Sequence, residues 1–575
     1  MFRLVLLGVV AMGWAGCAGP PADLVLLNGK IITVDSTDRI AEAVAVRGDK
    51  IVAVGTTAEI RRLIGAGTDT VDLRGRAVTP GLLDAHAHFA MGAVDRRFVL
   101  DLSYPTVKSV ADIVEAIRRD AAGRKPGEWI TGRGWDEGKL VELRYVTAAD
   151  LDRVAPNNPV WLTHTMGHYG AANSAALTLA KVDRGSADPP GGTIDRLPDG
   201  RPTGVLKESA MGLVSGLIPE PTPEQTREAI ADLAQAFNAE GMTGLKDPGI
   251  SEATWEAYRR VLADGKLTVR VFALWRPPQT TADAQDLIDR MAATTRPYES
   301  TGDDQLISGG VKLAIDGSGG ARTAWMHQEW NRNRTEVDRG NVGYPATPPD
   351  TLRKILRMYH DAGFHISVHS IGDRAIDWTL DSYAEALAAK PTRGLRHGII
   401  HANIPTDRAL DQMADLERRF DAGYPEPSGT FMWWIGDTYA GNFGPERSLR
   451  LDPFKTFQSK GIRWANGSDF PVTPFPARYG IWSSVARETM LGVYGKTPWG
   501  MDEAVDVRAA LRSQTMGVAR QMFLERKVGS IEVGKYADLA VWDRDIYGVP
   551  TADLKDLACD LTVFAGKIVY RRSPE

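Results

Sequence analysis

Cysteine is nearly missing from this chain: two in 575 residues, at positions 17 and 559. That scarcity excludes both a disulfide-stapled small fold and a thiolate metal cluster, so stability must come from apolar burial. Charge of one sign is not in excess either, with 68 Lys and Arg against 73 Asp and Glu and a net charge of −5. Nothing in that balance favours nucleic acid or an anionic membrane surface as partner. Low-complexity tracts and short repeats are absent, which argues against a solenoid. Histidine is sparse, at ten residues, so where the histidines fall is informative. What is plentiful is apolar residue, 43% of the chain, enough for a large core and more than one cluster.

The one long apolar run that looks like a targeting element stands at the start. Arg3 is followed by the apolar stretch Leu4–Trp14 and then by the small residues Ala15-Gly16 before Cys17. The stretch is short for a membrane span. It resembles a bacterial lipoprotein signal in which Cys17 becomes the lipidated first residue, although Trp14 replaces the usual leucine. The expectation is export, as a cell-envelope lipoprotein or a periplasmic protein, with membrane contact only through that anchor. With Cys17 lipidated, Cys559 has no partner for a disulfide.

Residues 22–76 contain four short apolar runs: Leu24–Leu27, Ile31–Val34, Ala43–Val46 and Ile51–Val54. Asn28-Gly29 and Gly48-Asp49 between them are hairpin signals. The C-terminal stretches Ala537–Trp542 and Leu561–Tyr570 have the same pattern, so residues 22–76 and 530–572 are expected to form one composite β-sandwich. Residues 77–529 between them alternate helix and strand. Thr222-Pro223-Glu224-Gln225 is a capping box with proline at the first helical position, and that helix should stop at Gly241 before a strand from Thr243. Similar helix–glycine–strand units end at Gly363 and Gly461. The fold class is therefore α/β, and the length suits a (β/α)8 barrel. Its predicted strands are Ala77–His86, Thr243–Asp247, Thr268–Trp275, Gly310–Ile315, His365–His369, Gly398–His401, Arg419–Gly423 and Arg463–Ser468. A long insertion, about residues 98–220, separates the first two and is expected to cover the barrel mouth.

The run Ala77–Leu83 ends in Asp84-Ala85-His86-Ala87-His88. Alternation along a strand points His86 and His88 the same way, and Pro80-Gly81 lets the strand bend before them. In such barrels functional groups sit at the C-terminal ends of the strands. Those ends carry His86, His88, Lys312, His369, His401 and Asp469, which include four of the ten histidines.

This constellation resembles the metal-dependent amidohydrolase superfamily, and more narrowly its YtcJ-like, Amidohydrolase 3 branch, which includes N-substituted formamide deformylase. The narrower resemblance rests on Gly132-Arg133-Gly134-Trp135-Asp136, on Gly167-His168 with Asn173–Leu177, and on Pro202-Thr203-Gly204-Val205-Leu206. It rests further on Val311-Lys312-Leu313 with Asp316-Gly317-Ser318, on His369–Ala375, on Gly467-Ser468-Asp469 and on Val528–Leu539.

The resemblance implies two divalent ions. His86, His88 and Asp469 would hold one, His369 and His401 the other, and a carboxylated Lys312 would bridge them, since an ammonium has no lone pair to give. It also implies attack by a hydroxide shared between the ions, with Asp469 moving the proton to the leaving amine. Imidazole and carboxylate ligands without thiolate suit zinc, and leave Mn, Fe, Co and Ni open. A single ion, with Lys312 uncarboxylated, is the other arrangement the residues allow.

Trp135, His168, Asp316 and Arg322 are the substrate-pocket candidates, with Trp325 beside them. Asp84 is expected to support the loop through backbone hydrogen bonds. His360, His365 and His397 lie on element bodies and read as structural. In place of the Gln-Pro that relatives carry after the seventh strand stands Ala422-Gly423-Tyr424-Pro425-Glu426-Pro427, so the pocket floor should differ. The leading function is hydrolysis of a C–N bond in a small amide, formamide or N-acyl amine. The alternatives are a mononuclear deaminase of an amidine or cyclic imine, a lactone or ester hydrolase, and a binding protein that keeps the fold without turnover. A homo-oligomer is compatible with all of them.

Overall fold

The computed structural model describes residues 20–276, 280–294, 299–300, 304–331, 340–492 and 499–573. The leader segment Arg3–Cys17 and the lipidation expected at Cys17 lie outside the described residues. Among the described residues no helix is long and apolar enough to cross a membrane, and Cys559 is a buried free thiol.

Both chain ends join in one sheet, which packs on a second sheet built from the N-terminal end alone. In the latter, Leu24–Leu27 lies between Ala43–Arg47 and Asp69–Asp72. In the other, Leu539–Trp542 pairs antiparallel with Ala77–Pro80 and with Cys559–Phe564, which turns back into Lys567–Arg571. Alternate side chains of the two sheets meet in one apolar cluster that includes Leu24, Val44, Ile51, Val78, Leu539, Val541 and Val563. Gly48-Asp49 is the expected hairpin, with Arg47 opposite Lys50. Asn28-Gly29 is not. It carries the chain from the first sheet to the second, because Gly29 presses on Leu73, where a Cβ would come within 2.2 Å of Leu73 Cδ1.

Between the ends a curled parallel sheet runs β1 (Leu82–Asp84), β2 (Met242–Ile250), β3 (Arg270–Trp275), β4 (Leu306–Ala314), β5 (Ile366–Ser370), β6 (Gly398–His401) and β7 (Tyr424–Glu426), each hydrogen-bonded to the next. The helix Pro223–Ala239 before β2 starts at the expected capping box, Thr222 accepting from Gln225 N and Gln225 closing back on Thr222 N.

Three strand expectations need correction. The run Ala77–His86 is split at Gly81: Ala77–Pro80 belongs to the end sheet, and only Leu82–Asp84 joins the parallel sheet. A side chain at Gly81 would strike Thr243, 2.2 Å away, so the chain changes sheets where no side chain stands. Arg419–Gly423 is the end of the helix Asp407–Phe420 and the turn after it, and the strand begins at Tyr424. Arg463–Ser468 forms no regular strand. It still bridges both edges of the curled sheet, with Ala465 N and Gly467 N donating to Pro425 O and Pro427 O on one side and Ala85 N donating to Asn466 O on the other.

The insertion builds its own six-stranded sheet, from Leu100–Asp101 through Ile130–Trp135, Val160–His164, Tyr169–Ala172 and Pro202–Glu208 to Gly192–Arg196. Its core is separate, built on Leu102, Ile113, Ile117, Ile130 and Leu162.

A buried acid bonded to the loop after the sixth strand carries a pH signature. Burial pushes the Asp452 carboxyl up to about 7, against the opposing pull of the Asn403 hydrogen bond and the Arg487 charge. Between an unfolded value near 4 and that folded value, the folded state keeps a proton that the unfolded chain releases. The contribution of this carboxyl to stability should therefore fall as pH rises from about 4 to about 7 and level off above. Asp452→Asn keeps the acceptor oxygen for Asn403 and suits the left-handed backbone there (φ 48°). Melting temperatures from pH 5 to 8 should show a flatter profile for this variant and a higher value than wild type at pH 8. Parallel profiles would refute the assignment.

Candidate metal centre

The predicted ligands come from well-separated parts of the chain and meet at the C-terminal side of the curled sheet. His86 and His88 follow β1, but in the bend beyond it, so strand alternation is not what aligns them. Hydrogen bonds to the eighth-position segment do that: Asp469 N donates to His86 O at 2.6 Å, and His88 N to Phe470 O at 2.7 Å. Gly467 permits this approach, since a Cβ there would sit 2.8 Å from His86 N. Asp84 supports the same junction, accepting from His86 N, Ser468 N and Ser468 Oγ at 2.9, 3.0 and 2.6 Å. Burial raises its carboxyl to about 7 in spite of those bonds.

The Asp469 carboxylate is the hub. Its Oδ1 lies 3.2 Å from His86 Nε2 and 3.5 Å from His88 Nε2, and its Oδ2 lies 3.8 Å from His401 Nε2. The His401 and His369 rings are 4.7 Å apart between centroids. Lys312, on β4, places Nζ 3.4 Å from His88 Nε2. Both His401 (φ 70°) and Asp469 (φ 56°) hold left-handed backbone, a strain of the kind that gathers at functional sites.

These groups are set up to donate lone pairs. Burial holds His88, His369 and His401 well below the usual imidazole range, and lowers His86 against the pull of Asp469. Each is thus a neutral base at physiological pH. His369 Nε2 faces the Gly317 carbonyl at 3.0 Å and must donate to it, which leaves Nδ1 as its free lone pair. His401 engages Ser428 Oγ through Nδ1 at 3.2 Å, with Nε2 toward Asp469. His86 Nε2 is buried and has no hydrogen-bond partner, because the Asp469 contact does not meet hydrogen-bond geometry. Such an orphan is costly unless a cation takes its lone pair. Nitrogen and oxygen donors of His86, His88 and Asp469 lie within 4.8 Å of one another. This donor set fits a divalent ion of the zinc type. Desolvation pulls the Lys312 ammonium down to about 8, against the pull of Asp469, so part of it is the free amine that carboxylation requires.

A cavity of about 1170 Å³ opens onto the cluster. His168 reaches into it from the insertion, 5.1 Å from the His369 ring and bonded through Nδ1 to Glu208 Oε2 at 2.9 Å. Burial opposes a charge on His168, yet the Glu208 carboxylate outweighs it and raises the imidazole above its ordinary value.

The other three pocket candidates do not line the cavity. Trp135 is buried in the insertion core with Nε1 donating to Leu162 O. Asp316 is buried and accepts from the backbone of Trp325, Ile371 and Gly372, which fixes the loop after β5. Arg322 is buried, with its carbonyl held by Asn341. Trp325 lies under the Arg374 guanidinium. His360 and His397 bond to each other at 2.9 Å, and His365 bonds to Leu395 O, all away from the cluster. Phe431 stacks on the His401 ring as packing.

Glu208, Arg133 and Arg276, which do line the cavity, were not picked out from sequence. The available signals were weak: Glu208 closes the strand that begins Pro202-Thr203-Gly204, and Arg276 stands just beyond a barrel strand.

A second group of donors, Asp136, Glu137 and His164, is equally close-set. Its atoms are engaged by neighbours apart from Asp136 Oδ2, which has no hydrogen-bond partner and faces the Lys139 ammonium. His164 Nδ1 accepts from Met166 N, so Nε2 carries the proton and has no lone pair for a metal. Tyr169 donates to Glu137 at 2.7 Å, Thr438 to Asp136 at 2.9 Å, and Lys139 supplies a positive charge 3.4 Å from Asp136. The group locks the insertion to the helix Gly436–Phe443.

A curled parallel sheet with neutral imidazoles, a lysine and a carboxylate at the floor of a large cavity defines a metal-dependent hydrolase class of enzyme. The sequence profile of the Amidohydrolase family matches residues 69–570, and the chain belongs to that family. A shorter match, to the imidazolonepropionase-like composite domain of bacteria, covers residues 43–63. The chain is 31% identical to N-substituted formamide deformylase of Arthrobacter pascens, over 96% of this chain and 99% of that protein. It is 30% identical to protein LONG AFTER FAR-RED 3 of Arabidopsis thaliana, over 92% and 89%. Putative amidohydrolase YtcJ of Bacillus subtilis is 29% identical over 95% and 99%. Among solved structures, an uncharacterized metal-dependent hydrolase from Pyrococcus horikoshii shares the fold, with a TM-score of 0.70 at 24% identity over 92% of this chain and 99% of that one.

Proposed function

We propose that the enzyme hydrolyses the C–N bond of a small formamide, amide or N-acyl amine, with divalent ions held by the six convergent residues. His86, His88 and Asp469 would hold one ion and His369 and His401 the other, with Lys312 joining them as a carbamate. When bound, such ions lower the pKa of water and polarise a carbonyl. Asp469 takes the proton from the attacking water as its oxygen joins the carbonyl carbon. It then returns that proton to the nitrogen as the C–N bond breaks. His168, held through Nδ1 by Glu208, presents its other nitrogen to the substrate from the insertion side. The Asp469 carboxylate, with its oxygens 3.2, 3.5 and 3.8 Å from three imidazoles at the cavity floor, is the observation that carries this reading. The near full-length similarity to a formamide deformylase supports the bond class. A turnover screen of formamides, N-acyl amines, cyclic amides, lactones and phosphoesters on zinc-reconstituted protein tests it. Formamides or N-acyl amines should give the highest kcat/KM, and a clear preference for lactones or phosphoesters would overturn it.

A further inference from the structure

Arg276 is a solvent-exposed cation on the cavity wall. It follows β3 directly, with its backbone N donating to Ile250 O at the end of β2, and its side chain lines the cavity. Among the described residues no carboxylate or other acceptor pairs with its guanidinium. It nevertheless sits near the reacting centre. At Gly249, whose φ of +85° disfavours a side chain, a Cβ would lie 3.8 Å from both Arg276 Nε and Lys312 Cδ, so the two side chains flank one open space.

Three acids of the cavity wall are engaged elsewhere. Asp247 accepts from Phe89 N and Ala90 N, each at 3.2 Å, and from the Tyr258 hydroxyl. Glu208 is taken by His168 and Thr323. Asp95 is paired with Arg133 at 3.1 Å. Arg133 is therefore already neutralised, whereas Arg276 is a planar, always-charged donor fork with no acceptor among the described residues, and the geometry suits a carboxylate.

From this arrangement we infer that Arg276 docks a carboxylate carried by the substrate, so that the preferred substrates are N-formyl or N-acyl derivatives of amino acids rather than of neutral amines. The inference rests on the amide-hydrolase reading and narrows it. Apolar neighbours in the same cavity, Met91, Val94, Met166 and Val472, leave room for a bulky hydrophobic side chain beside the acid.

The test uses a matched pair, N-formylphenylalanine and N-formylphenethylamine, which differ only in the carboxylate. Metal-loaded wild-type enzyme should show kcat/KM about 10- to 100-fold higher for the acid, the range of a charge-assisted contact. Arg276→Gln should erase that difference through KM while leaving the neutral substrate and the metals per chain unchanged, and Arg276→Lys should restore part of it. Binding of 3-phenylpropionate, measured by calorimetry, should weaken by the same factor in Arg276→Gln and gives a readout independent of turnover. Equal or faster turnover of the neutral amide, or unaltered 3-phenylpropionate binding in Arg276→Gln, would overturn the inference. So would a fall on both substrates with lost metal, which would make Arg276 a support for Lys312. If neither amide is hydrolysed, the amide-hydrolase reading fails, and the binding data still decide the anion site.

Discussion

Asp469→Asn is expected to lower kcat by about 10²- to 10⁴-fold, the usual contribution of a positioned acid–base group, while the protein stays folded. The replacement has the same shape, and asparagine tolerates the left-handed backbone that Asp469 adopts at φ 56°. Its backbone N can still donate to His86 O, so the junction between the first strand and the eighth-position segment survives. What is lost is a group able to take up a proton at the centre of three imidazoles. Steady-state kinetics on zinc-loaded variant, together with its melting temperature, check this. An unfolded variant would leave the chemistry to Asp469→Glu, which keeps the titratable carboxylate and should retain more activity than the asparagine. Turnover within tenfold of wild type in Asp469→Asn would remove Asp469 from the proton path.

The second large effect concerns stability. Inside the curled sheet, Lys246 of β2 donates to Glu426 of β7 at 2.6 Å, with side-chain exposures of 1% and 0%, and Ser367 donates to the same oxygen at 2.9 Å. Glu426 also occupies the space that Gly398 leaves open, where a Cβ would meet its Oε1 at 2.1 Å. Removing one member of a buried pair strands the other charge away from water, which costs about 3–5 kcal/mol. Glu426→Ala should show that loss in chemical denaturation. Replacing both members, as in Lys246→Met with Glu426→Leu, should recover most of it, since no unpaired charge is left behind. A single variant within 1 kcal/mol of wild type, on the scale of an exposed pair, would show that the pair is not confined as described.

Glu426 also illustrates where the sequence was informative and where it was not. The departure at Ala422–Pro427 from the usual Gln-Pro was visible, but the partner of Glu426, Lys246, is 180 residues away and nothing local marks the pairing. The convergence of His86, His88, Lys312, His369, His401 and Asp469 was legible because each stands at or near the end of an expected strand, and the topology gathers such ends on one side. The strand limits were less legible. Ala77–Leu83 is one continuous apolar run, and only tertiary packing, Thr243 against Gly81, decides that it serves two sheets.

The pocket was the least legible part. Trp135 stands in a motif shared with relatives, yet its side chain is packed in the insertion core, whereas Glu208 and Arg276, which no motif marked, line the cavity with His168, the one pocket candidate found there. Residues of that kind are brought together by sequence-distant packing, for which periodicity carries no signal.

The central claim is that the cluster around Asp469 works as a metal centre for amide hydrolysis. Its most direct test is to count metals per chain by mass spectrometry while following formamide turnover, on protein as purified, after chelation, and after zinc is restored. The account predicts two ions per chain, loss of turnover as they are removed, and recovery with zinc that fails in His86→Ala. Full turnover by chelated protein that retains no metal would contradict it.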